Sequence, residues 1–343
     1  MLRRHIWWLA PLAGAAIAGA VVAAVSLGGG SPKPATTGHG HLTPSNAALS
    51  FQSAITAVVR ELSPSVVQIQ NAQGLGSGVV FDSNGDIVTN AHVVAGGGPF
   101  TVTAGKHSYP ATLVGAFAPD DLAVVHVARA SLTPATFADS SKLEVGDVAI
   151  AIGNPLGLRS SVTDGIVSAF RQGVSEGNGV ALPLMIQTSA PINPGNSGGA
   201  LADLEGRVIG IPTLAATDPE MGGAAAGIGF AIPSNLAKNI ALQIVTNGHV
   251  VDSHRAYLGI FPGDTGGQGV FINKVISGGP AAKAGIVAGD VITEINGHQT
   301  STVDQLTSVV SELKPGETVE VGLETQAGAH KSVRIKLATY PGG

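Results

Sequence analysis

A serine in a glycine-rich turn is the residue of this sequence best suited to nucleophilic chemistry. Ser197 lies in the segment NPGNSGG, residues 193–199. Glycines on both sides let the backbone turn tightly and let a substrate carbonyl approach without meeting a Cβ. Successive N–H groups of such a turn can point into one concavity and bind an oxyanion. The same pattern also fits a plain turn, so Ser197 needs partner residues elsewhere in the chain.

Two further residues supply what a serine nucleophile requires. His92 follows a β-rich run at residues 86–91, and Asp121 precedes the apolar segment LAVV at residues 122–125. Serine is a poor nucleophile at neutral pH, so it needs an adjacent base, and the base needs a third group that fixes its tautomer. The chain order histidine, aspartate, serine is that of chymotrypsin-type proteases. The three residues together predict acyl-transfer chemistry.

The segments that hold these residues resemble the signatures of the HtrA/Deg family of serine proteases. The matching segments are TNAHVV (89–94), DLAV (121–124), the serine turn, GSGVV (76–80), IGNPLG (152–157) and GIGFAIP (227–233). The resemblance runs from about residue 53 to the C-terminus. It implies an all-β, chymotrypsin-like catalytic region of two antiparallel β-barrels, with His92 and Asp121 on the first, Ser197 on the second and the cleft between them.

The resemblance also selects the acid and the base. The family's acid directly precedes Leu-Ala-Val, which selects Asp121, and the adjacent Asp120 is then expected to be a solvated loop residue; Asp164 is a weaker rival. The other histidines of this region are His107 and His126. His126 alternates with valines, so we expect it to be a strand residue that faces away from the site.

The resemblance further implies an oxyanion hole and a substrate pocket. The backbone N–H groups of Gly195 and Ser197 would bind the oxyanion, with Asn196 assisting. The candidate pocket walls are Ile192, Ile211 and Leu214. An apolar pocket of this kind favours cleavage after small aliphatic residues, which are exposed mainly in misfolded chains and at termini.

Three positions depart from the family pattern. Ser189-Ala190-Pro191 stands where Asp-Ala-Ala is usual, and Ala200 replaces a frequent proline. Pro191 is expected to stiffen the chain that leads into the serine turn, because proline fixes its own φ. The region before His92 carries no long insertion, which implies a homotrimer rather than a large cage.

Composition agrees with a turn-rich β protein. The 343 residues contain 48 glycines, 44% apolar residues and only 4% aromatic residues, a composition that argues against coiled coil or extensive disorder. The formal net charge of -5 gives no basic surface for nucleic acid. Cysteine is absent, so disulfides, thiolate metal sites and a cysteine nucleophile are excluded. We expect no metal and no cofactor.

The N-terminal residues predict a membrane anchor. Arg3 and Arg4 (within residues 1–5, expected in the cytoplasm) precede residues 6–27, an uncharged run long enough to span a bilayer. A cleaved signal peptide ending near Ala18-Gly19-Ala20 is the alternative, and a twin-arginine signal is a weaker one. Residues 28–50 predict a flexible tether, in which His39 and His41 are a weak metal signal.

In the catalytic region, residues 51–233, the sequence predicts the helix, turn and strands that would position His92, Asp121 and Ser197. Helical spacing predicts a helix over 51–62, and Ser83-Asn84-Gly85-Asp86 predicts a hairpin turn. Short β-branched runs predict strands at 66–69, 78–81, 87–90, 100–103, 123–127, 148–152, 165–168, 185–188, 208–211 and 229–232. A linker over 234–252 is expected to contain a helix at 234–245, with Ser234 as its N-cap.

Residues 253–340 resemble a PDZ domain, an α+β module that takes an extended peptide as an added strand. The segment Tyr257-Leu258-Gly259-Ile260 fits the loop that binds the terminal carboxylate, and Thr302 is expected to cap an amphipathic helix. The resemblance thus implies C-terminal peptides as partners of this module. A plain strand start is the alternative for residues 257–260.

Taken together, the sequence predicts a serine endopeptidase on the outer side of a bacterial cell membrane, held there by a single span. Its expected substrates are unfolded or damaged proteins, and its expected role is protein quality control or stress signalling. A peptide-binding chaperone or scaffold with little proteolysis is an alternative. An α/β-hydrolase is a remote one, because that fold requires a helix directly after the serine, with acid and histidine following.

Overall fold

The computed structural model describes residues 45–128, 131–154, 161–175, 181–182, 184–193, 195–218 and 223–341. Within these ranges, no helix is both long enough and apolar enough to cross a membrane. The predicted span at 6–27 and the tether up to residue 44 fall outside the described residues.

The first barrel follows an N-terminal helix. Helix α1 (Asn46–Leu62) begins at Asn46, earlier than the predicted Phe51, because the Ser45 hydroxyl caps the N–H of Ala48. The barrel is closed and antiparallel throughout, in the order β1-β2-β3-β6-β5-β4, and the short helix α2 (Ala91–Val94) follows β3. Its strands are β1 (Val66–Gln70), β2 (Leu75–Val80), β3 (Asp86–Thr89), β4 (Phe100–Ala104), β5 (His107–Phe117) and β6 (Leu122–His126).

The second barrel is built in the same way. It is closed and antiparallel in the order β11-β14-β13-β12-β7-β8, and β9 and β10 form a separate hairpin. The strands are β7 (Val148–Gly153), β8 (Ser161–Arg171), β9 (Val174–Ser175), β10 (Ala181–Leu182), β11 (Met185–Thr188), β12 (Ala200–Ala202), β13 (Val208–Asp218) and β14 (Gly223–Pro233). Two closed antiparallel barrels confirm the predicted all-β, chymotrypsin-like part of the fold and exclude the α/β-hydrolase alternative.

A linker helix packs against strands of both barrels. Helix α3 (Ser234–Asn247) buries Ala237, Ile240, Ala241 and Ile244, the spacing of one helical face, and ends at Gly248. The prediction of Ser234 as N-cap was wrong: Ser234 is the first helical residue, and its hydroxyl donates to the carbonyl of Ala138 at 2.9 Å.

The C-terminal module has the predicted α+β composition. An antiparallel sheet in the order β16-β17-β18-β20-β21, with β19 beside β18, packs against two helices, and β15 pairs with β22. Thr302 caps helix α5 by accepting from the N–H of Gln305, as predicted. The elements are β15 (Ala256–Tyr257), β16 (Ile260–Asp264), β17 (Val270–Val275), α4 (Pro280–Lys283), β18 (Val291–Ile295), β19 (His298–Gln299), α5 (Val303–Glu312), β20 (Thr318–Glu324), β21 (His330–Lys336) and β22 (Ala338–Thr339).

Candidate active site

Asp121 lies where the chain turns sharply into β6. It follows a 3-10 helix, Ala118–Asp120, and adopts left-handed backbone angles of φ 48° and ψ 43°. Aspartate is among the few non-glycine residues enriched in this region of backbone space. The turn directs the Asp121 side chain inward, where only 4% of it is exposed.

Three donors hold the Asp121 carboxylate. His92 Nδ1 lies 2.9 Å from Oδ2 and 3.1 Å from Oδ1. The backbone N–H of His92 donates to Oδ1 at 3.0 Å, and the hydroxyl of Thr213 donates to Oδ2. A carboxylate only accepts hydrogen bonds, so Nδ1 carries the proton and Nε2 is the basic nitrogen of the ring.

Helix α2 presents His92 to the cleft. The helix starts directly after β3, and the residue before it, Asn90, donates its side-chain amide to the carbonyl of Asp121 at 3.0 Å. This bond ties the start of α2 to the turn that carries the acid. The His92 side chain is 50% exposed, so one edge of the ring contacts the carboxylate while the other is accessible from the cleft.

Ser197 belongs to the second barrel and faces the same cleft. Its hydroxyl donates to the carbonyl of Thr213 at 3.0 Å. Thr213 therefore contacts both the serine and, through its side chain, the aspartate. A cavity of about 540 Å³ is lined by His92, Ser197, Gly195 and Thr213. The fold thus brings the three residues singled out from sequence, which are widely separated along the chain, to one place.

Among the described residues, two N–H groups of the serine turn have no acceptor. Gly195 has φ 104°, a conformation that side-chain-bearing residues rarely adopt. Within the described part of the chain, neither the N–H of Gly195 nor that of Ser197 donates to a protein atom. Asn196 does not fit its expected role in binding the oxyanion. Its N–H donates to the carbonyl of Asn193 at 3.0 Å, and its side-chain amide donates to the carbonyl of Pro191.

The three expected pocket residues have different positions. Ile192 lines the cavity. Ile211 does not fit the expected role: it is fully buried in the core that the two barrels share, and it is not among the described residues that line the cavity. The backbone of Leu214 pairs with Phe230 in the β13–β14 ladder, and its side chain lies outside the described part of the structure.

Asp120 was wrongly expected to be solvated. It is fully buried, and Arg255, which is distant in sequence, places Nη1 2.6 Å from its Oδ1. Arg255 also donates to the carbonyl of Pro119. Burial raises the pKa of Asp120, and the charge and hydrogen bond of Arg255 oppose that rise. No local pattern indicates this pair, because Arg255 comes from the start of the C-terminal module.

The rival residues lie away from the cleft. His126 Nδ1 contacts Asp86 Oδ1 at 2.8 Å, across the β3–β6 pair. His107 starts β5 and lies against the ring of Tyr109, and Asp164 is exposed on β8. None of the three is among the described residues that line the cavity.

Two of the family departures have defined contacts. The Ser189 hydroxyl accepts from the N–H of Ile166 at 3.0 Å. The carbonyl of Pro191 accepts from the Thr163 hydroxyl at 2.7 Å, and from Asn196 at 3.4 Å. The segment that leads into the serine turn is therefore held by both its proline ring and its carbonyl.

The C-terminal module contains a second groove. A cavity of about 320 Å³ is lined by Tyr257, Leu258, Gly259 and Ile260, together with residues of α5 such as Val310. The strand β16, which starts at Ile260, pairs on one side with β17 and stands at the edge of the sheet. Burial, and then the neighbouring Tyr340, raise the pKa of Tyr257. An edge strand beside a helix offers the place for an added peptide strand.

The fold and the two cavities described above define a class of protein: a trypsin-like peptidase domain joined to a PDZ domain. Residues 76–211 match the family model of the trypsin-like peptidase domain, and residues 246–337 match that of the PDZ domain. The chain belongs to the HtrA family of serine proteases, as the sequence motifs predicted.

Three known proteins illustrate the similarity. The periplasmic pH-dependent serine endoprotease DegQ of Escherichia coli (strain K12) is 40% identical over 284 residues, 79% of this chain and 60% of DegQ. The crystal structure of the serine endoprotease from Yersinia pestis is 35% identical with a TM-score of 0.56, over 83% of this chain and 98% of that chain. The structure of the HtrA-type protease AlgW with tripeptide is 32% identical with a TM-score of 0.57, over 84% of this chain and 97% of that chain. This chain spans 60% of the length of DegQ.

Proposed function

We propose that the protein is an extracytoplasmic serine endopeptidase that degrades unfolded or damaged proteins. The observation that carries the proposal is the His92–Asp121 contact of 2.9 Å on a cavity that Ser197 also lines. A base oriented by a buried acid, beside a serine in a glycine-rich turn, is the arrangement that activates a hydroxyl nucleophile.

The proposed mechanism begins with attack of Ser197 Oγ on the scissile carbonyl carbon. His92 Nε2 accepts the hydroxyl proton, and Asp121 stabilises the imidazolium through Nδ1. The carbonyl oxygen becomes an oxyanion, which the N–H groups of Gly195 and Ser197 bind. Collapse of this intermediate breaks the C–N bond, and the imidazolium gives its proton to the leaving amine. Water then hydrolyses the acyl-enzyme by the same steps.

The substrate class follows from the lining of the cleft. Ile192 is an apolar wall residue beside the serine turn, which supports cleavage after small aliphatic side chains. Such side chains are buried in folded proteins and exposed in unfolded ones. We therefore propose quality control or stress signalling as the role.

Peptide C-termini are the ligands proposed for the PDZ groove. The four residues 257–260 line it together, and AlgW, a relative of similar fold, has a solved structure with a tripeptide. Relatives named periplasmic support an extracytoplasmic location. The proposals of a single membrane span at residues 6–27, a domain division at 51–233, 234–252 and 253–340, and a homotrimer rest on the sequence and on family resemblance.

Replacement of Ser197 tests the proposed reaction. Ser197→Ala removes the nucleophile and should abolish casein degradation, while the circular dichroism spectrum stays that of the wild type. Ser189→Ala, in the same region but away from the cleft, is the control and should keep its activity. Casein degradation that survives Ser197→Ala at the wild-type rate would mean that another group performs the chemistry.

The PDZ proposal has its own test. Val310→Lys places a charge in the groove and should weaken binding of a fluorescent decapeptide with an apolar C-terminus by at least about tenfold, a factor that corresponds to about 1.4 kcal/mol. Val287→Lys introduces the same charge at an exposed valine of the same module and is the control. Equal affinities of the two variants would exclude this groove as the peptide site.

A further inference from the structure

We propose that Ser77, on β2 of the first barrel, is a positioning residue for the turn that binds the oxyanion. This inference rests on the proposed protease function. Ser77 is completely buried and touches the serine turn with both its side chain and its backbone. Its hydroxyl donates to the carbonyl of Gly195 at 2.6 Å, and its N–H donates to the carbonyl of Ser197 at 2.9 Å.

The position of these two bonds within the turn gives them their importance. The N–H groups proposed to bind the oxyanion belong to Gly195 and Ser197. The peptide that joins Gly195 to Asn196 lies between these two N–H groups, and Ser77 Oγ holds its carbonyl. Ser77 N–H holds the carbonyl of Ser197, the next residue that carries a proposed donor. One residue of the first barrel therefore holds the peptide that follows each of the two residues with a proposed donor.

Gly195 is the residue at which the backbone of this turn can most easily change its conformation. A glycine with φ 104° meets little steric resistance to rotation of its neighbouring peptides. The carbonyl of Gly195 is in a buried stretch, so without an internal donor it would have no compensation for lost solvent. Loss of the Ser77 hydroxyl is thus expected to favour rotation of this peptide, which would redirect the flanking N–H groups.

Ser77 is itself held in place by two neighbours. The N–H of Asn154 donates to Ser77 Oγ at 2.7 Å, which commits the hydroxyl proton to Gly195, and the Thr89 hydroxyl donates to the carbonyl of Ser77 at 2.7 Å. The backbones approach closely here, because a Cβ at Gly198 would collide with the carbonyl of Ser77. This explains why the serine turn requires glycine at position 198.

The experiment measures Ser77→Ala against a matched control, Ser234→Ala. Ser234 is equally buried and also donates to a backbone carbonyl, that of Ala138, but does not contact the serine turn. Both variants leave a buried carbonyl without its donor, and Ser77→Ala also removes the acceptor of the Asn154 N–H, so it should lose the more stability. With a chromogenic peptide substrate, Ser77→Ala should lower kcat by roughly tenfold to a hundredfold, less than the ~10²–10³ lost when an oxyanion donor is removed. KM should change by less than about twofold, because substrate binding does not use the oxyanion site.

A peptide boronate provides the readout that a purely structural role would not change. Its tetrahedral adduct places a hydroxyl in the oxyanion site, so its Ki should rise for Ser77→Ala by the same factor by which kcat/KM falls. Ser234→Ala should leave both quantities at the wild-type values. The proposal is overturned if Ser77→Ala keeps kcat and the boronate Ki within about twofold of wild type, or if the loss is entirely in KM.

Two further variants separate the possible failures. If Ser77→Ala does not fold, Ser77→Cys keeps the volume with a much weaker donor and should still lower kcat; an unchanged kcat in that variant contradicts the proposal. Ser197→Ala tests the underlying function independently. If Ser197→Ala retains activity, the protease mechanism fails, whereas if only Ser197→Ala is inactive, the mechanism stands and the role of Ser77 fails.

Discussion

At the scale of single residues, Asp121 combines an unusual backbone conformation with several side-chain hydrogen bonds. Its left-handed φ of 48° turns the carboxylate toward His92, and Thr213 binds the same oxygen, Oδ2, that lies nearest the ring. The charge and the geometry of this residue can be separated by substitution, because asparagine tolerates the same backbone angles.

Asp121→Asn should therefore fold normally and lose activity. The amide cannot select the Nδ1-protonated tautomer of His92, and in a well-studied serine protease the same change lowered kcat by about 10⁴. The measurement is kcat on a peptide substrate, with thermal unfolding to verify the fold. A variant that keeps a tenth or more of wild-type kcat, as a rough limit, would show that Asp121 does not orient the base.

Thr213 should contribute to the enzymatic activity through its hydroxyl alone. Thr213→Val removes the donor to Asp121 but keeps the backbone carbonyl that Ser197 contacts. A hydrogen bond to a charged group contributes about 1.5–3 kcal/mol, so kcat/KM should fall by about tenfold or more. Thr213→Ser retains the hydroxyl and should restore most of the activity, and equal losses in the two variants would assign the effect to packing.

Local sequence context was sufficient to select His92, Asp121 and Ser197 as candidates, because each stands in a segment with its own pattern. It was not sufficient for Ser77 and Thr213, whose partners lie in the other barrel or in a distant segment. A hydroxyl residue in an apolar strand was the only signal that either residue offered. The prediction that Asp120 is solvated was wrong for the same reason, since its partner Arg255 is distant in sequence.

At the scale of elements, strand β6 shows why some strands were predicted well. Leu122 and Val124 face the core between the barrels and α3, while Ala123 and Val125 face the interior of the first barrel. Both faces are buried, so the sequence is a continuous apolar run that is easy to identify. Strand β5 (His107–Phe117) was missed because it is mostly exposed and contains Pro110.

A short 3-10 helix, Ser140–Lys142, is joined to the start of α3 by one carboxylate. Asp139 accepts hydrogen bonds from Ser141 and from the side chain of Asn235, and these bonds lower its pKa from 3.8 to about 2. Because the folded-state pKa is depressed, the stabilisation is present above pH 3.8 and is lost as the pH falls through about 2.

Asn235→Ala should therefore raise the pKa of Asp139 toward its usual value, since it removes the second-largest contribution to the shift. An NMR titration of the Asp139 carboxyl carbon measures this directly in both proteins. A wild-type Asp139 that titrates near 3.8 would contradict the hydrogen-bonded geometry.

At the scale of the whole molecule, one buried ion pair joins the two modules. Arg255 precedes the PDZ strand β15 and contacts Asp120, the residue directly before the acid of the cleft. Tyr340 adds an aromatic contact, with ring centroids 6.1 Å from Phe117 and 5.2 Å from Tyr257. Arg255 and Tyr340 also line the PDZ groove, so this groove and the turn that carries Asp121 share neighbours.

Arg255→Met should destabilise the protein strongly at neutral pH. Removing one partner of a buried pair leaves an uncompensated charge, at a cost of about 3–5 kcal/mol. Burial already raises the pKa of Asp120 above 3.8, and loss of Arg255 should raise it further. A raised pKa gives stabilisation that is complete below pH 3.8 and lost as the pH rises through the folded-state pKa.

The difference in unfolding free energy between wild type and Arg255→Met should thus shrink as the pH falls toward 3.8. Urea unfolding at several pH values measures it. The double variant Asp120→Asn/Arg255→Met carries no buried charge at this position and should recover part of the loss at neutral pH. A pH-independent difference, with no recovery in the double variant, would show that Arg255 acts through packing alone.

The arrangement of modules along the chain was accessible from sequence, because the motifs of the peptidase and the PDZ domain are each local. The contacts between the modules were not, since they join single residues such as Asp120 and Arg255 that have no repeating pattern. The membrane span at residues 6–27 remains a prediction.

The central claim is that Ser197 is a nucleophile activated by His92. Intact-mass spectrometry after incubation with a fluorophosphonate tests it most directly, because this reagent phosphonylates activated serines. The wild type should gain one adduct, located on Ser197 by peptide mapping, and both Ser197→Ala and His92→Ala should remain unmodified over the same time. An adduct on another residue, or equal labelling of His92→Ala, would contradict the account.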